Sequence, residues 1–127
     1  MPKLKVLIVE DSEIIQQRLL DRLAPFTGLE VIGLVEHATE AEECIRTLKP
    51  DVVILDIRLR SGNGIDVLER IKEDSVRPII IVITNFSHPQ YREKCLEAGA
   101  DFFFDKSSEF EKITKVIGEH TKHSEKS

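Results

Sequence analysis

The chain has 127 residues, with 18 Lys and Arg against 23 Asp and Glu and a net charge of −5. That length suits one domain with its own core, and the acidic balance with scattered basic residues speaks against a nucleic-acid binder, whose phosphate contacts need clustered Lys and Arg. A hydrophobic content of 41% suits a globular rather than a disordered chain, while the isolated Cys44 and Cys95 form neither a disulfide framework nor a zinc site, and no apolar run reaches membrane-span length, which predicts a cytoplasmic protein.

Apolar runs and amphipathic stretches alternate along the chain. Lys5 to Val9 (KVLIV) predicts a strand by its length and β-branching. Ser12 opens a helical pattern with Ile15, Leu19 and Leu23 on one face, ending before Pro25. Asp11 is also in place to cap that helix. Leu29 to Val35 is a more mixed strand, as expected at a sheet edge. Thr39 to Leu48 is helical, with Ala41, Ile45 and Leu48 aligned, and Lys49-Pro50 stops it.

Asp51 to Leu55 predicts a third strand, and Asn63 to Lys72 a third helix with Gly64, Leu68 and Ile71 on one side. Pro78 to Ile83 (PIIIVI) is the most β-prone run. Ser87 is the expected cap of a fourth helix with Pro89 in its first turn, Tyr91, Cys95 and Ala98 on one face, and Gly99 at its end. Ala100 to Phe104 predicts a fifth strand, whose alternation turns Phe102 and Phe104 to one face and Phe103 to the other. Phe110, Ile113 and Ile117 mark a fifth helix ending near Gly118, followed by a frayed polar end, EHTKHSEKS. Five βα units imply a parallel sheet covered on both faces. One domain is predicted over residues 1–119, with a polar tail over 120–127.

Open parallel sheets bind ligands beyond the carboxyl ends of their strands. At those ends stand Glu10 and Asp11, Glu36 and His37, Asp56, Thr84 and Asn85, and Asp105 and Lys106. If the first and third strands are neighbours, Glu10, Asp11 and Asp56 converge, and their mutual repulsion needs relief. Lys106 supplies one positive charge, and a hard divalent cation such as Mg²⁺ suits the oxygen ligands. An Asp carboxylate can accept a phosphoryl group, and a metal can neutralise charge as the group transfers. Thr84 and Lys106 could then bind it. The bland alternative for each residue alone is an ordinary turn, strand-end or surface group. His37, His88, His120 and His123 have no partner at metal-ligand spacing and are expected at the surface.

VLIVEDSEIIQQRL, VVILDIRLRSGNG, IIIVITN and GADFFFDKS occur in order, each closing a strand. Together they make the chain resemble a response regulator receiver domain from about Lys5 to Gly118. The resemblance implies an α/β flavodoxin-like doubly wound sheet of five strands in the order 2-1-3-4-5 with five helices. It implies that Asp56 is the phosphoacceptor, with Mg²⁺ held by Glu10, Asp11, Asp56 and the backbone carbonyl of Arg58. Thr84 matches the switch hydroxyl, Lys106 the lysine that pairs with the phosphoryl group, and Phe103 the aromatic whose rotamer follows phosphorylation.

The implied donor is a phosphohistidine on a histidine kinase or a histidine phosphotransfer protein. The implied output is a protein target or a phosphorylation-dependent homodimer, through the face of the fourth helix, fifth strand and fifth helix, with no nucleic acid or membrane contacted. It is a switch rather than an enzyme with turnover. Arg60 and Ser107 stand where many members carry proline, and Arg58 and Asn85 occupy positions that tune loss of the phosphoryl group. Three other readings stay open: a pseudoreceiver that binds without phosphorylation, a fragment of a larger regulator, and a small phosphatase with an Asp nucleophile. The polar end fits a single-domain protein.

Overall fold

The computed structural model describes residues 3–59, 61–74, 77–85 and 88–126, the last five by backbone alone. The predicted Ser87 cap and the position of Arg60 lie outside the described residues. Five strands and five helices alternate: β1 (Leu4–Val9), α1 (Glu13–Leu23), β2 (Leu29–Val35), α2 (Ala38–Leu48), β3 (Val52–Asp56), α3 (Gly64–Ile71), β4 (Ile79–Thr84), α4 (Pro89–Glu97), β5 (Phe102–Asp105) and α5 (Phe110–Lys126). All pairings between these strands are parallel and the strand order is β2-β1-β3-β4-β5. This is the flavodoxin-like arrangement, with β2 at an edge as its mixed composition predicts.

The strands are apolar on both faces because both faces are covered. Every residue of β3 is buried. One core lies under α2, α3 and α4, with Ala41, Ile45, Leu68, Ile71 and Cys95 meeting Leu7, Val53 and Val82. The other lies under α1 and α5, with Leu19, Leu23, Ile113 and Ile117 meeting Ile8, Ile54 and Ile83. The Phe triple divides as alternation predicts: Phe103 joins the first core, and Phe102 and Phe104 stack at 6.0 Å on the second. The flank formed by α1 and α5 carries an additional clamp, with the Arg18 and Arg22 guanidinium groups 4.3 and 5.4 Å from the Phe110 ring centre and Arg22 paired with Glu111.

Several local expectations are corrected. Ser12, not Asp11, caps α1, its hydroxyl accepting from the Ile15 amide, and this leaves the Asp11 side chain available to the strand ends. Leu48 falls on the apolar stripe of α2 but is 43% exposed, since α2 ends there and Lys49 turns left-handed at φ 49°. His88 caps α4, its Nδ1 accepting from the Gln90 amide.

Helix α5 does not stop near Gly118 but runs to Lys126. Gly118 is there for packing: a Cβ would stand 3.1 Å from the Phe26 ring. The following polar residues include no proline, and Thr121 is buried with its hydroxyl donating to the Gly118 carbonyl. Both cysteines are free, Cys95 buried and Cys44 half-buried.

Gly64 opens α3 directly against the end of β3. A Cβ there would lie 2.5 Å from the Asp56 carbonyl oxygen and 3.0 Å from the Ile57 Cα. Backbone cannot yield as a flexible side chain can, so Gly64→Ala should lower unfolding free energy by about 1–3 kcal/mol. Urea denaturation measures this, and an unchanged midpoint would contradict it.

Candidate functional site

Strand register brings the predicted residues together. Val9 pairs with Leu55, Asp56 with Ile83, and Thr84 with Asp105. Glu10, Asp56, Thr84 and Lys106 therefore close four neighbouring strands at one level. All four are at most 5% exposed.

The Lys106 ammonium sits between two carboxylates, 2.5 Å from Glu10 Oε1 and 3.0 Å from Asp56 Oδ2. Glu10 Oε2 accepts from the Ser12 amide at 3.0 Å, which ties the carboxylate to the start of α1. Gln16 donates to the Glu10 carbonyl. Asp56 Oδ1 receives a long contact, 3.4 Å, from the Arg58 amide. The Lys106 amide donates to the Thr84 carbonyl and so fixes the lysine to the end of β4. Asp11 is half-exposed, and one oxygen each from Glu10, Asp11 and Asp56 lies within 4.8 Å of the others. A cleft of about 440 Å³ opens over the group, rimmed by Arg58, Asn85, Ser12 and Ile14.

Burial dominates the electrostatics. It pushes the Glu10 carboxyl up to about 7, against the Lys106 ammonium, with the Asp56 charge adding to the rise. It also raises Asp56, with Lys106 opposing. For Lys106 burial disfavours the charged form, but Glu10 and Asp56 outweigh it and its pKa is raised.

The residues fit a hard divalent cation. With the three carboxyls ionised, the group holds three negative charges against one ammonium, a net charge of −2. Glu10 Oε1 is buried with the Lys106 ammonium as its close partner. Three carboxyls gathered around one ammonium suit a cation with oxygen ligands.

Two supporting contacts were not anticipated from sequence. Asp105 Oδ1 accepts from the Ser107 amide, the Ser107 hydroxyl and the Ser108 amide, which shapes the turn after Lys106. Proline at position 107 would supply none of the first two donors, so Ser107 replaces ring stiffness with hydrogen bonds. An Asp followed by two serines signals such a turn. His37 Nδ1 lies 2.8 Å from the Ser61 hydroxyl, and the Ala38 amide donates to the Ser61 carbonyl, so the segment after Asp56 is tied to α2. No spacing signals that pair. His37 and His88 are exposed, as expected, and His120 is half-exposed.

With this geometry in view, the family model of the response regulator receiver domain matches residues 6–118. The chain belongs to the response regulator receiver family. It is 37% identical over 93% of its length to a protein-glutamate methylesterase/protein-glutamine glutaminase of Idiomarina loihiensis, covering 30% of that protein. It is 25% identical over 90% of its length to the response regulator GacA of Pseudomonas aeruginosa, covering 53% of it. The receiver spans 24% of the methylesterase relative from Geobacillus kaustophilus and 34% of that from Clostridium acetobutylicum.

The response regulator domain of Thermotoga maritima CheB superposes with a TM-score of 0.79 at 26% identity, covering 95% of each chain. The receiver domain of a NarL regulator from Mycobacterium tuberculosis gives 0.86 at 23%, covering 96% of this chain and 98% of that one, a likeness of fold. Among the described residues no helix is long and apolar enough to cross a membrane.

The raised Glu10 pKa has a consequence for stability. Unfolded, the carboxyl loses its proton near 4.5; folded and metal-free, it keeps it to about 7. Between these values the unfolded state binds fewer protons, so stability falls as pH rises and levels off above the folded pKa. Glu10→Gln cannot ionise and should remove most of this fall, about 2–3 kcal/mol. Denaturation in EDTA at several pH values tests it; an equal fall in both proteins would refute it.

Proposed function

We propose that this receiver accepts a phosphoryl group from a phosphohistidine onto Asp56 and uses the resulting charge to change a protein-binding face. The observation that carries the reading is the Lys106 ammonium 3.0 Å from Asp56 Oδ2 beside Glu10 and Asp11. An Asp side chain is a competent nucleophile for phosphorus. The Asp56 oxygen bonds to phosphorus as the bond to the imidazole nitrogen breaks, and the donor keeps that electron pair.

Glu10, Asp11, Asp56 and the Arg58 carbonyl would hold Mg²⁺, which supplies charge neutralisation for the transferring oxygens. Lys106 stays beside the carboxylate and pairs with the phosphoryl group. Thr84, at the end of the neighbouring strand, donates its hydroxyl to the new oxygens. Phe103, already buried beneath α4, is fixed in that inward place once Thr84 turns to the phosphoryl group, and α4, β5 and α5 present the altered face to a protein target or to a second phosphorylated copy. The donor is a histidine kinase or a histidine phosphotransfer protein, and the cytoplasm is the compartment that supplies one. The domain traps the phosphoryl group and loses it slowly, in contrast to a phosphatase that turns over, and the paired Asp56 and Lys106 favour this over a pseudoreceiver. The domain proposed to do this covers residues 1–119, followed by the polar stretch 120–127.

Acetyl phosphate with Mg²⁺ should add one phosphoryl group to the intact chain by mass spectrometry. Asp56→Ala or excess EDTA should abolish it. Labelling that survives Asp56→Ala would sink the assignment, and absence of labelling from both acetyl phosphate and candidate kinases would favour the pseudoreceiver.

Arg58 stands at the rim of the cleft with its side chain exposed. From that rim its long chain would screen a phosphoryl group on Asp56 from attacking water. Arg58→Ala should therefore shorten the phosphoaspartate half-life severalfold, measured by decay of the labelled protein. An unchanged half-life would remove Arg58 from this role.

A further inference from the structure

We propose that Arg92, on α4, is a positioning residue that holds the Phe103 ring inward and so biases the receiver toward its switched arrangement. The inference rests on the reading of Phe103 as the moving aromatic given above.

Phe103 is 4% exposed and belongs to the core beneath α4. Arg92 reaches across from the helix and touches the same residue twice. Its guanidinium carbon lies 5.9 Å from the ring centre, and its Nη1 donates to the Phe103 carbonyl at 3.4 Å. The ring contact is present only while the ring occupies its inward place, and the carbonyl contact holds α4 close to β5 so that the guanidinium stays over the ring. Arg92 also acts on the next segment. The Glu109 carboxyl, just before α5, is held below its ordinary value first by its hydrogen bond from Lys112 and then by that from the Asp105 amide, with the Arg92 charge adding to these. The one guanidinium thereby links α4 to β5.

The anchoring of α4 makes this contact matter. Its carboxyl end is pinned: the Lys72 ammonium donates to the Glu97 carbonyl at 2.9 Å, and Arg77 donates to the Gly99 carbonyl at 3.1 Å. Cys95 and the capping Ala98 are buried at that end. Toward the amino end the helix residues Pro89, Gln90 and Arg92 are exposed and only Tyr91 packs against the core. A helix fixed at one end and lightly held at the other moves most at its lightly held end. Arg92 lies in that half and links its position to the ring.

A cation over an aromatic face at a solvent-facing site corresponds to about two- to fivefold in an equilibrium. Aromatic NMR of the unphosphorylated chain, with Phe103 assigned by Phe103→Leu, reads the ring directly. Arg92→Ala should move the Phe103 ring signals and speed hydrogen exchange of the β5 amides, and Arg92→Lys should restore the ring signals in part. Unmoved ring signals in Arg92→Ala overturn the proposal, whether or not the domain is phosphorylated.

Titration with beryllofluoride and Mg²⁺ then reads the bias. Half-saturation should require about two- to fivefold more beryllofluoride in Arg92→Ala. In a Phe103→Ala background the same substitution should have no effect. An equal effect in both backgrounds would mean that Arg92 acts independently of Phe103 and would overturn the proposal. A wild-type chain blind to beryllofluoride would count against the phosphoacceptor reading, while the ring measurement would still decide the Arg92 contact.

Discussion

A single ammonium organises the functional end of this receiver. Lys106 projects from the end of β5 into a space where Glu10 and Asp56 are both buried, and it contacts each of them. Without a cation there, two carboxylates at the ends of adjacent strands would repel across a medium that screens charge poorly. With it, the first, third and fifth strands are joined at one level, although β5 pairs only with β4. The link from the Lys106 amide to the Thr84 carbonyl brings β4 into the same group. The active end is thus cross-linked by side-chain charge as well as by the sheet.

The arrangement is also poised rather than satisfied. A lysine has one positive charge to offer, and Asp11 adds a further negative one at the rim. The site retains an excess of carboxylate at a place with low exposure. Such an imbalance is costly in a core but useful at a switch, because it makes the local structure sensitive to an arriving cation or phosphoryl group. Stability and response therefore draw on the same few residues.

Much of this was legible in the amino-acid sequence. The βα rhythm follows from apolar runs such as KVLIV and PIIIVI alternating with amphipathic stretches, and the strand-end rule alone puts Glu10, Asp56, Thr84 and Lys106 at one edge. The strand order came with the family resemblance, since periodicity does not say which strands are neighbours. What escaped lies where tertiary contact overrides a local signal. Gly118 reads as a helix stop, yet it lies inside the helix, where a Cβ would crowd the Phe26 ring at 3.1 Å. Leu48 belongs to an apolar stripe but falls where the helix has already passed the core. Asp11 and Ser12 are both good caps, and only the geometry of the Ile15 amide separates them. The His37–Ser61 pair joins loops far apart in sequence and leaves no trace in local pattern.

The clamp on Phe110 gives the domain a mechanical grain. Two arginines from α1 lie over a ring at the start of α5, and Arg22 also pairs with Glu111. That flank is braced by several contacts between two helices that also share a core with the central strands. The opposite flank has α4, with one buried residue within the helix itself and a lightly held amino end. A load applied at the strand ends meets a stiff wall on one side and a compliant one on the other. Displacement takes the compliant side, so a change of charge in a central cleft acquires a direction.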